Sequence, residues 1–532
     1  MLKAPRGTRD LLPPDTDLWN RVEAKVRHVL MRYNYHEIRT PVFEDTQLFS
    51  RSVGEETDIV SKEMFKWYDP SDPTVNLDRL WREQYGKTYS HLEPFEPAIA
   101  DFGYMAFEGN IPQKMIRITY QPNGGELAFM RQHRSDWLRD NPGNPEPALV
   151  LAYPAFEQAR VDRLSLRGIE TQQIGMPQWF RRPESLTLRP ENTAGVVRAY
   201  IEHGLYKTGT LQKLYYIGPQ FRRERPQKGR YRQFYQIGAE IIGPPSAGSE
   251  SPARDAEVLE MLATLLDEVG LRDWQLQLNS IGCAEDRARY NQALREALAP
   301  VVQQMCEDCR RRAETNPLRV LDCKVPEDQP IIEKLPKISQ YLDEPCREHF
   351  AAVRAMIKAV GIAYTINERM VRGLDYYTRT TFEFTHGGLG SQNSVLGGGR
   401  YDGLSESLDG PKAPGIGFAI GEDRLVLALQ SQGETAAEKV QAFVAPLGAG
   451  MNVHALKLAR ELRQAGVSAD LGDESFRLKK SFELAEKAGA RFIVIVGENE
   501  VASEQFAVKD LNSGQQEQVP RAGLVAHLRA EV

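Results

Sequence analysis

Between Tyr215 and Gly243 the chain reads YYIGPQFRRERPQKGRYRQFYQIGAEIIG, and this stretch limits the possible folds more than any other. Leu214–Phe221 and Phe234–Ile242 carry apolar and aromatic residues of strand type, so the pattern predicts two strands joined by a long polar loop. The loop sets Arg222, Arg223, Arg225, Lys228, Arg230 and Arg232 against Glu224 alone, about five net positive charges in a chain of formal net charge -6. Arginine predominates, and its planar fork suits two-pronged contact with phosphate. On a regular strand Gln236 and Glu240 point to the same side as Arg230 and Arg232. Such a face would take a phosphate at one end and a small cationic or imidazole-like group at the other.

A length of 532 residues suggests three or four domains with ample core. No apolar run approaches the ~18 residues that span a bilayer, and the opening MLKAPRGTRDLLPPD has no apolar signal core, so we expect a cytoplasmic protein without a membrane partner. The sequence pI near 6.0 makes any nucleic-acid surface local. Five cysteines do not read as a disulfide framework. Cys306 and Cys309 form a CxxC, with Cys323 and Cys346 further on, but a structural zinc site usually shows two tight pairs. These residues therefore read first as reduced thiols, with a zinc site as the alternative, and no metal ligand is assigned.

Along the chain, Asp15 or Thr16 caps a helix whose stripe is Leu18, Val22, Val26, Val29, Leu30 and Tyr33. YHEIRTPVFED, Tyr35–Asp45, reads as a strand with Pro41 inside it, hence at an edge or an interface. Leu186 and Leu188 alternate with Thr187 and Arg189 until Pro190 ends that strand. Glu191 just beyond it suits an α-ammonium group, and Asn192 tolerates left-handed turn geometry. From about Cys283 to Phe350 the chain is helical and polar. VRGLDYYTRTTFEF, Val371–Phe384, is a turn leading into an aromatic strand. GIGFAIGEDRLVLAL reads as a strand running into a helix with Arg424 in its first turn, and its glycine spacing is not that of a dinucleotide site. After a polar linker at 430–439, a compact β-α-β-α-β unit with a final hairpin and helix closes the chain.

FRRERPQKGRYRQFYQIGAEIIG resembles the motif 2 hairpin of class II aminoacyl-tRNA synthetases in the form used by the histidyl-tRNA synthetase family. VRGLDYYTRTTFEF resembles that family's histidine signature. TDIVSKEMF, SLTLRPENTAGVVRAYIEHGL and the Arg424 helix are similar to further family segments. The resemblance implies an α/β (α+β) chain, with a class II antiparallel-sheet core, inserted domains and a C-terminal α/β anticodon-binding domain. Core segments would lie at 1–65, 184–275 and 361–430, a helical insertion domain at 276–360 and the anticodon-binding domain at 438–532. Residues 66–183 stand where the family has a short turn, and we expect an extra insert there, with a hairpin at MIRITYQPNGGELAFMRQ. Its GKT, Gly86–Thr88, lacks the upstream glycine of a phosphate loop.

The implied activity is ATP-dependent formation of histidyl-adenylate and transfer of histidine to its tRNA by a Mg²⁺-using homodimer. The family's roles then fall on matching positions. Arg222 and Arg372 would flank the α-phosphate as catalytic cations, and Arg372 would also meet the substrate carboxylate. Glu224, Phe234 and Arg424 would complete the ATP site, and Glu191, Asn192, Thr193 and Gln236 would hold the amino-acid backbone. Glu240, Tyr376 and Tyr377 would line the imidazole pocket, and Arg225, Gln227 and Lys228 would meet the tRNA acceptor end. The catalytically inert paralogue that regulates ATP phosphoribosyltransferase lacks the C-terminal domain and an intact histidine signature, and this chain has both.

Overall fold

The computed structural model describes residues 2–54, 57–68, 100–108, 111–120, 149–150, 179–180, 185–227, 229–371, 373–390, 393–434 and 440–529. They form two compact units, one of Met1–Arg9, Val29–Asp267 and Leu271–Ala428, the other of Asp10–His28, Glu268–Gly270 and Leu429–Val532.

In chain order the strands of the first unit are β1 (His36–Glu37), β2 (Phe43–Asp45), β3 (Lys66–Tyr68), β4 (Ala100–Glu108), β5 (Ile111–Tyr120), β6 (Leu149–Val150), β7 (Trp179–Phe180), β8 (Ser185–Leu188), β9 (Gln212–Phe221), β10 (Gln233–Ile242), β11 (Trp274–Ser280), β12 (Tyr364–Ile366), β13 (Thr378–His386), β14 (Ser394–Arg400) and β15 (Gly415–Gly421). Eight of them make one sheet in the order β1-β9-β10-β15-β14-β13-β11-β12. Its centre is antiparallel, and only β1 and β12 at the edges pair in parallel.

The two faces of this sheet differ because alternate residues point to opposite sides. One face carries Ile237, Ala239, Ile241, Ile416, Phe418, Ile420, Phe382, Phe384, Leu276 and Leu278, all buried. The other carries Phe234, Gln236, Gly238 and Glu240 on β10, opposite Gly421, Ala419 and Gly417 on β15. A row of small residues beside a polar strand leaves room for a ligand. Helix α1 spans Asp15–Arg32, α2 Thr46–Val53, α3 Thr193–Glu202, α4 Pro252–Val269, α5 Ala284–Leu298, α6 Glu307–Thr315, α7 Glu344–Ala359 and α8 Glu422–Ser431. Fully buried Arg400 at the end of β14 meets Asp255 of α4, whose other oxygen lies 2.8 Å from His349 Nε2 of α7. That chain of partners ties both helices to the sheet.

The strand expected over Tyr35–Asp45 is interrupted. β1 joins the large sheet beside β9, whereas β2 joins a three-stranded sheet, β2-β8-β3. Pro41, with no N–H to give a ladder, stands between them. MIRITY falls in β5, which pairs with β4. The second strand of the expected hairpin, and GKT, lie outside the described residues. Strand β11 is part of the large sheet, so the helical stretch after it opens at α5. Its core gathers Tyr290, Leu294, Leu298, Cys309, Val320, Leu321, Cys323 and Cys346.

The second unit holds a five-stranded sheet, β17-β16-β18-β19-β20, formed from β16 (Ala442–Pro446), β17 (Ala469–Leu471), β18 (Phe492–Val496), β19 (Gln505–Asp510) and β20 (Gln516–Pro520). Its first three strands are parallel and its last three antiparallel. Among the described residues no helix is long and apolar enough to cross a membrane.

Candidate active site

Glu240 lies at the deep end of the polar face of β10, with no exposed surface. Thr193 Oγ1 donates to its Oε1 at 2.7 Å, Tyr401 Oη to its Oε2 at 2.7 Å, and Tyr216 Oη to Oε1 at 3.4 Å. Burial pushes its carboxyl up to about 8, and the hydroxyl hydrogen bonds hold it back from rising further. Two glycines make this nest possible. A Cβ on Gly417 would stand 1.7 Å from Glu240 Oε2, and one on Gly238 would stand 2.3 Å from Tyr216 Oη. Aromatic walls close the pocket: the rings of Tyr376 and Tyr377 are 4.8 Å apart, and those of Tyr376 and Tyr401 5.9 Å.

Glu191, Asn192 and Thr193 open α3 beside Glu240. Glu191 is buried and accepts from the backbone N–H of Thr193 at 2.7 Å and of Ala194 at 3.0 Å. Its carboxylate thus caps the helix N-terminus, where the helix dipole favours it. Desolvation nevertheless raises its carboxyl above the ordinary range. Asn192 has φ −119° and ψ −14°, so the left-handed geometry that asparagine tolerates is not used and glycine is not required. Its Oδ1 accepts from Thr40 at 2.6 Å, while its buried Nδ2 has no hydrogen-bond partner.

Toward the loop end of β10 lies a cavity of about 160 Å³ whose lining includes Arg222, Glu224, Phe234, Gln236, Gly397 and Arg424. Arg222 Nε donates to the carbonyl of Pro190 at 2.9 Å, and its guanidinium lies 5.3 Å from the Phe234 ring centroid. Glu224 pairs closely with Arg230 and stands 3.9 Å from Arg222. Burial, and then the neighbouring Arg230, lower the Arg424 guanidinium below its ordinary value. Gln236 Oε1 is buried without a partner between this cavity and Glu240. The loop tip closes where Gln227 and Arg230 exchange backbone hydrogen bonds, with Arg225 and Gln227 exposed.

The structure thus brings eleven of the expected site residues onto one sheet face and its rims. Arg372 and Lys228 lie outside the described residues. Tyr401 and Tyr216 were not singled out by the sequence. Strand parity could have found Tyr216, which pairs with Gly238 two residues before Glu240. Tyr401 is 161 residues from Glu240 and offered only its place after a glycine run.

Residues two apart on a strand stand about 6.8 Å apart, so β10 spaces Glu240, Gln236 and Phe234 like marks on a ruler about 20 Å long. A carboxylate ringed by hydroxyls in an aromatic pocket accepts an N–H from a small ring or cation. Arginines and a phenyl ring at the far end suit a purine nucleotide.

A family model described as histidyl-tRNA synthetase matches residues 176–425, and one described as anticodon binding domain matches 441–531. The histidine–tRNA ligase of Koribacter versatilis (strain Ellin345) is 58% identical over 529 residues, covering 99% of this chain and 96% of its own. That of Solibacter usitatus (strain Ellin6076) is 45% identical, covering 100% and 99%. Both alignments run through residues 66–183, so a segment of that length is not peculiar to this chain. The crystal structure of apo S. aureus histidyl-tRNA synthetase superposes with a TM-score of 0.65 at 30% identity, covering 99% of this chain and all of that one. The chain belongs to the histidyl-tRNA synthetase family.

Proposed function

We propose that the cleft on the polar face of the large sheet activates L-histidine with ATP and passes it to the 3′ end of histidine tRNA. In the first step a carboxylate oxygen of histidine attacks the α-phosphorus, the bond to pyrophosphate breaks, and histidyl-adenylate forms. In the second a ribose hydroxyl of the tRNA attacks the activated carbonyl, AMP leaves, and a phosphate oxygen of the adenylate takes the proton. The observation that carries this reading is the order along β10: imidazole acceptor, backbone-binding amide, then nucleotide cavity.

Glu240 accepts the imidazole N–H, and the Tyr377 hydroxyl pairs with the other ring nitrogen. Gln236, Glu191, Asn192 and Thr193 face the α-amino and carboxylate end; the remaining lone pairs of Glu191 and the unpartnered Asn192 Nδ2 fit those groups. Phe234 stacks on adenine, and Glu224 accepts from its amino group. Arg222 and Arg372 hold the α-phosphate, and Arg424 the γ-phosphate, where fixed cations offset the charge of the in-line transition state.

A magnesium ion brought with ATP would offset phosphate charge. Among the described residues no group of three ligating side chains stands at the nucleotide cavity, which suits an ion held mainly by phosphate oxygens and water. Glu383, one strand beyond Gly397 on the same face and near enough to influence Arg424, would share it. Exposed Arg225 and Gln227, with Lys228, meet the tRNA acceptor end. Homodimerisation is supported by exposed Val42, Phe43 and Trp67, the last two with ring centroids 6.2 Å apart on the small sheet. The chemistry needs tRNA and ATP together, which supports a cytoplasmic location.

The test is ATP–pyrophosphate exchange with each amino acid in turn. Histidine alone should drive it, and Arg222→Ala should slow it by ~10²–10³-fold, as loss of a transition-state donor does. Exchange driven equally well by another amino acid, or none from a protein that still binds tRNA, contradicts the proposal.

A further inference from the structure

We propose that Cys306, Cys309, Cys323 and Asp328 together hold one zinc ion. The four side chains come from two segments of the helical region. Cys306 is the N-cap of α6 and Cys309 lies in its first turn. Cys323 follows the 3₁₀ turn Pro317–Asp322, and Asp328 ends the next turn, Pro326–Asp328. One ligand atom from each lies within 4.8 Å of every other. Cys306 Sγ is 3.9 Å from Cys323 Sγ, which is 3.1 Å from Asp328 Oδ2. Zinc–sulfur bonds of ~2.3 Å at tetrahedral angles put sulfur atoms about 3.8 Å apart, so this nest closes on an ion with sub-ångström shifts.

The simpler accounts explain less. All five cysteines are free thiols, and 3.9 Å is far from the ~2.05 Å of a disulfide. A disulfide between any two would also leave the third thiol and a carboxylate buried together. Thiols packing as small apolar groups have no need of Asp328, which is 1% exposed. Among the described residues no lysine, arginine or histidine pairs with that carboxylate; it accepts from Cys306 N at 3.1 Å and from thiols. A buried carboxylate calls for a cation. Cys306 and Cys309 sit at the start of α6, and Val325 N donates to Cys323 Sγ at 3.4 Å. Three soft thiolates select zinc over magnesium or calcium.

A second group, Cys283, Asp286, Asp343 and Cys346, is equally compact but already accounted for. Asp286 accepts from Cys283 N, Asp343 N and Arg289, and Asp343 caps α7 at Cys346 N. Those carboxylates are helix caps.

The ion would clamp α6 to the turns that follow it. Between the clamped points Asn316 donates to Asp375 Oδ1 at 3.2 Å, directly beside Tyr376. Zinc is therefore a structural ion supporting the wall of the histidine pocket.

Metal content of the purified full chain, and cobalt titration of the reduced, metal-stripped chain, test this. We expect one zinc per chain, and with cobalt a thiolate charge-transfer band and the intense visible bands of tetrahedral cobalt. Cys306→Ser/Cys323→Ser should lower metal affinity at least tenfold, whereas Cys283→Ser, at an N-cap that serine fills well, should retain it. If the double variant fails to fold, the cobalt spectrum of the wild type decides alone. No zinc and no tetrahedral cobalt spectrum, metal loss in Cys283→Ser equal to that in the double variant, or a Cys306–Cys323 disulfide in the native chain would overturn the proposal.

Discussion

Glu240 carries a cost that its role explains. The folded chain holds a proton on it up to about 8, against an ordinary value of 4.5, so between those values the native state binds more protons than the unfolded one. Stability contributed at this position therefore falls as pH rises through that window. Glu240→Gln, with no charge to bury, should lose less of its melting temperature than wild type between pH 5 and pH 8.5, as calorimetry would show. Tyr401→Phe removes a hydrogen bond that favours the ionised carboxylate. We expect a ~3–10-fold rise in KM for histidine, with the pH dependence of that KM moved to higher pH and KM for ATP unchanged. At this scale the sequence was legible where a residue's neighbours lie on its own strand. Gln236 and Glu240 follow from alternation alone. Tyr401 and the clustering of Cys323 with Asp328 depend on turns that bring distant segments together, and no local period encodes them. The conformation at Asn192 is set by the start of α3 and by Thr40, 152 residues away, so no local pattern gives it.

At the scale of elements, the hairpin from Gln212 to Ile242 was read correctly because alternation, aromatic content and a charged loop all agree. The strand through Pro41 is less legible. Its pattern was right on each side of the proline, but the missing donor lets the chain leave one sheet and enter another. The hairpin tip makes its own prediction. Arg225 is exposed and far from Glu240 along the strand, so Arg225→Ala should raise KM for tRNA while leaving pyrophosphate exchange intact. The log–log salt dependence of tRNA binding should become shallower by ~0.7–0.9, one phosphate contact.

For the whole molecule, the fold class was legible because a class II core and an α/β C-terminal unit each leave long, distinct patterns. The apolar surface of the small sheet was visible only once Phe43 and Trp67 were placed side by side. Under the proposed dimerisation through this surface, Phe43→Glu with Trp67→Glu should shift sedimentation from dimer toward monomer, since charge at the centre of an apolar contact is strongly disfavoured.

The proposed selection of histidine rests on one carboxylate, Glu240, reading the imidazole ring. The direct measurement is histidine KM in pyrophosphate exchange, wild type against Glu240→Gln, across pH. The wild-type KM should fall as pH rises toward about 8, and the variant's should be ~10–100-fold higher and flat, with KM for ATP the same in both. An unchanged histidine KM in Glu240→Gln would contradict it.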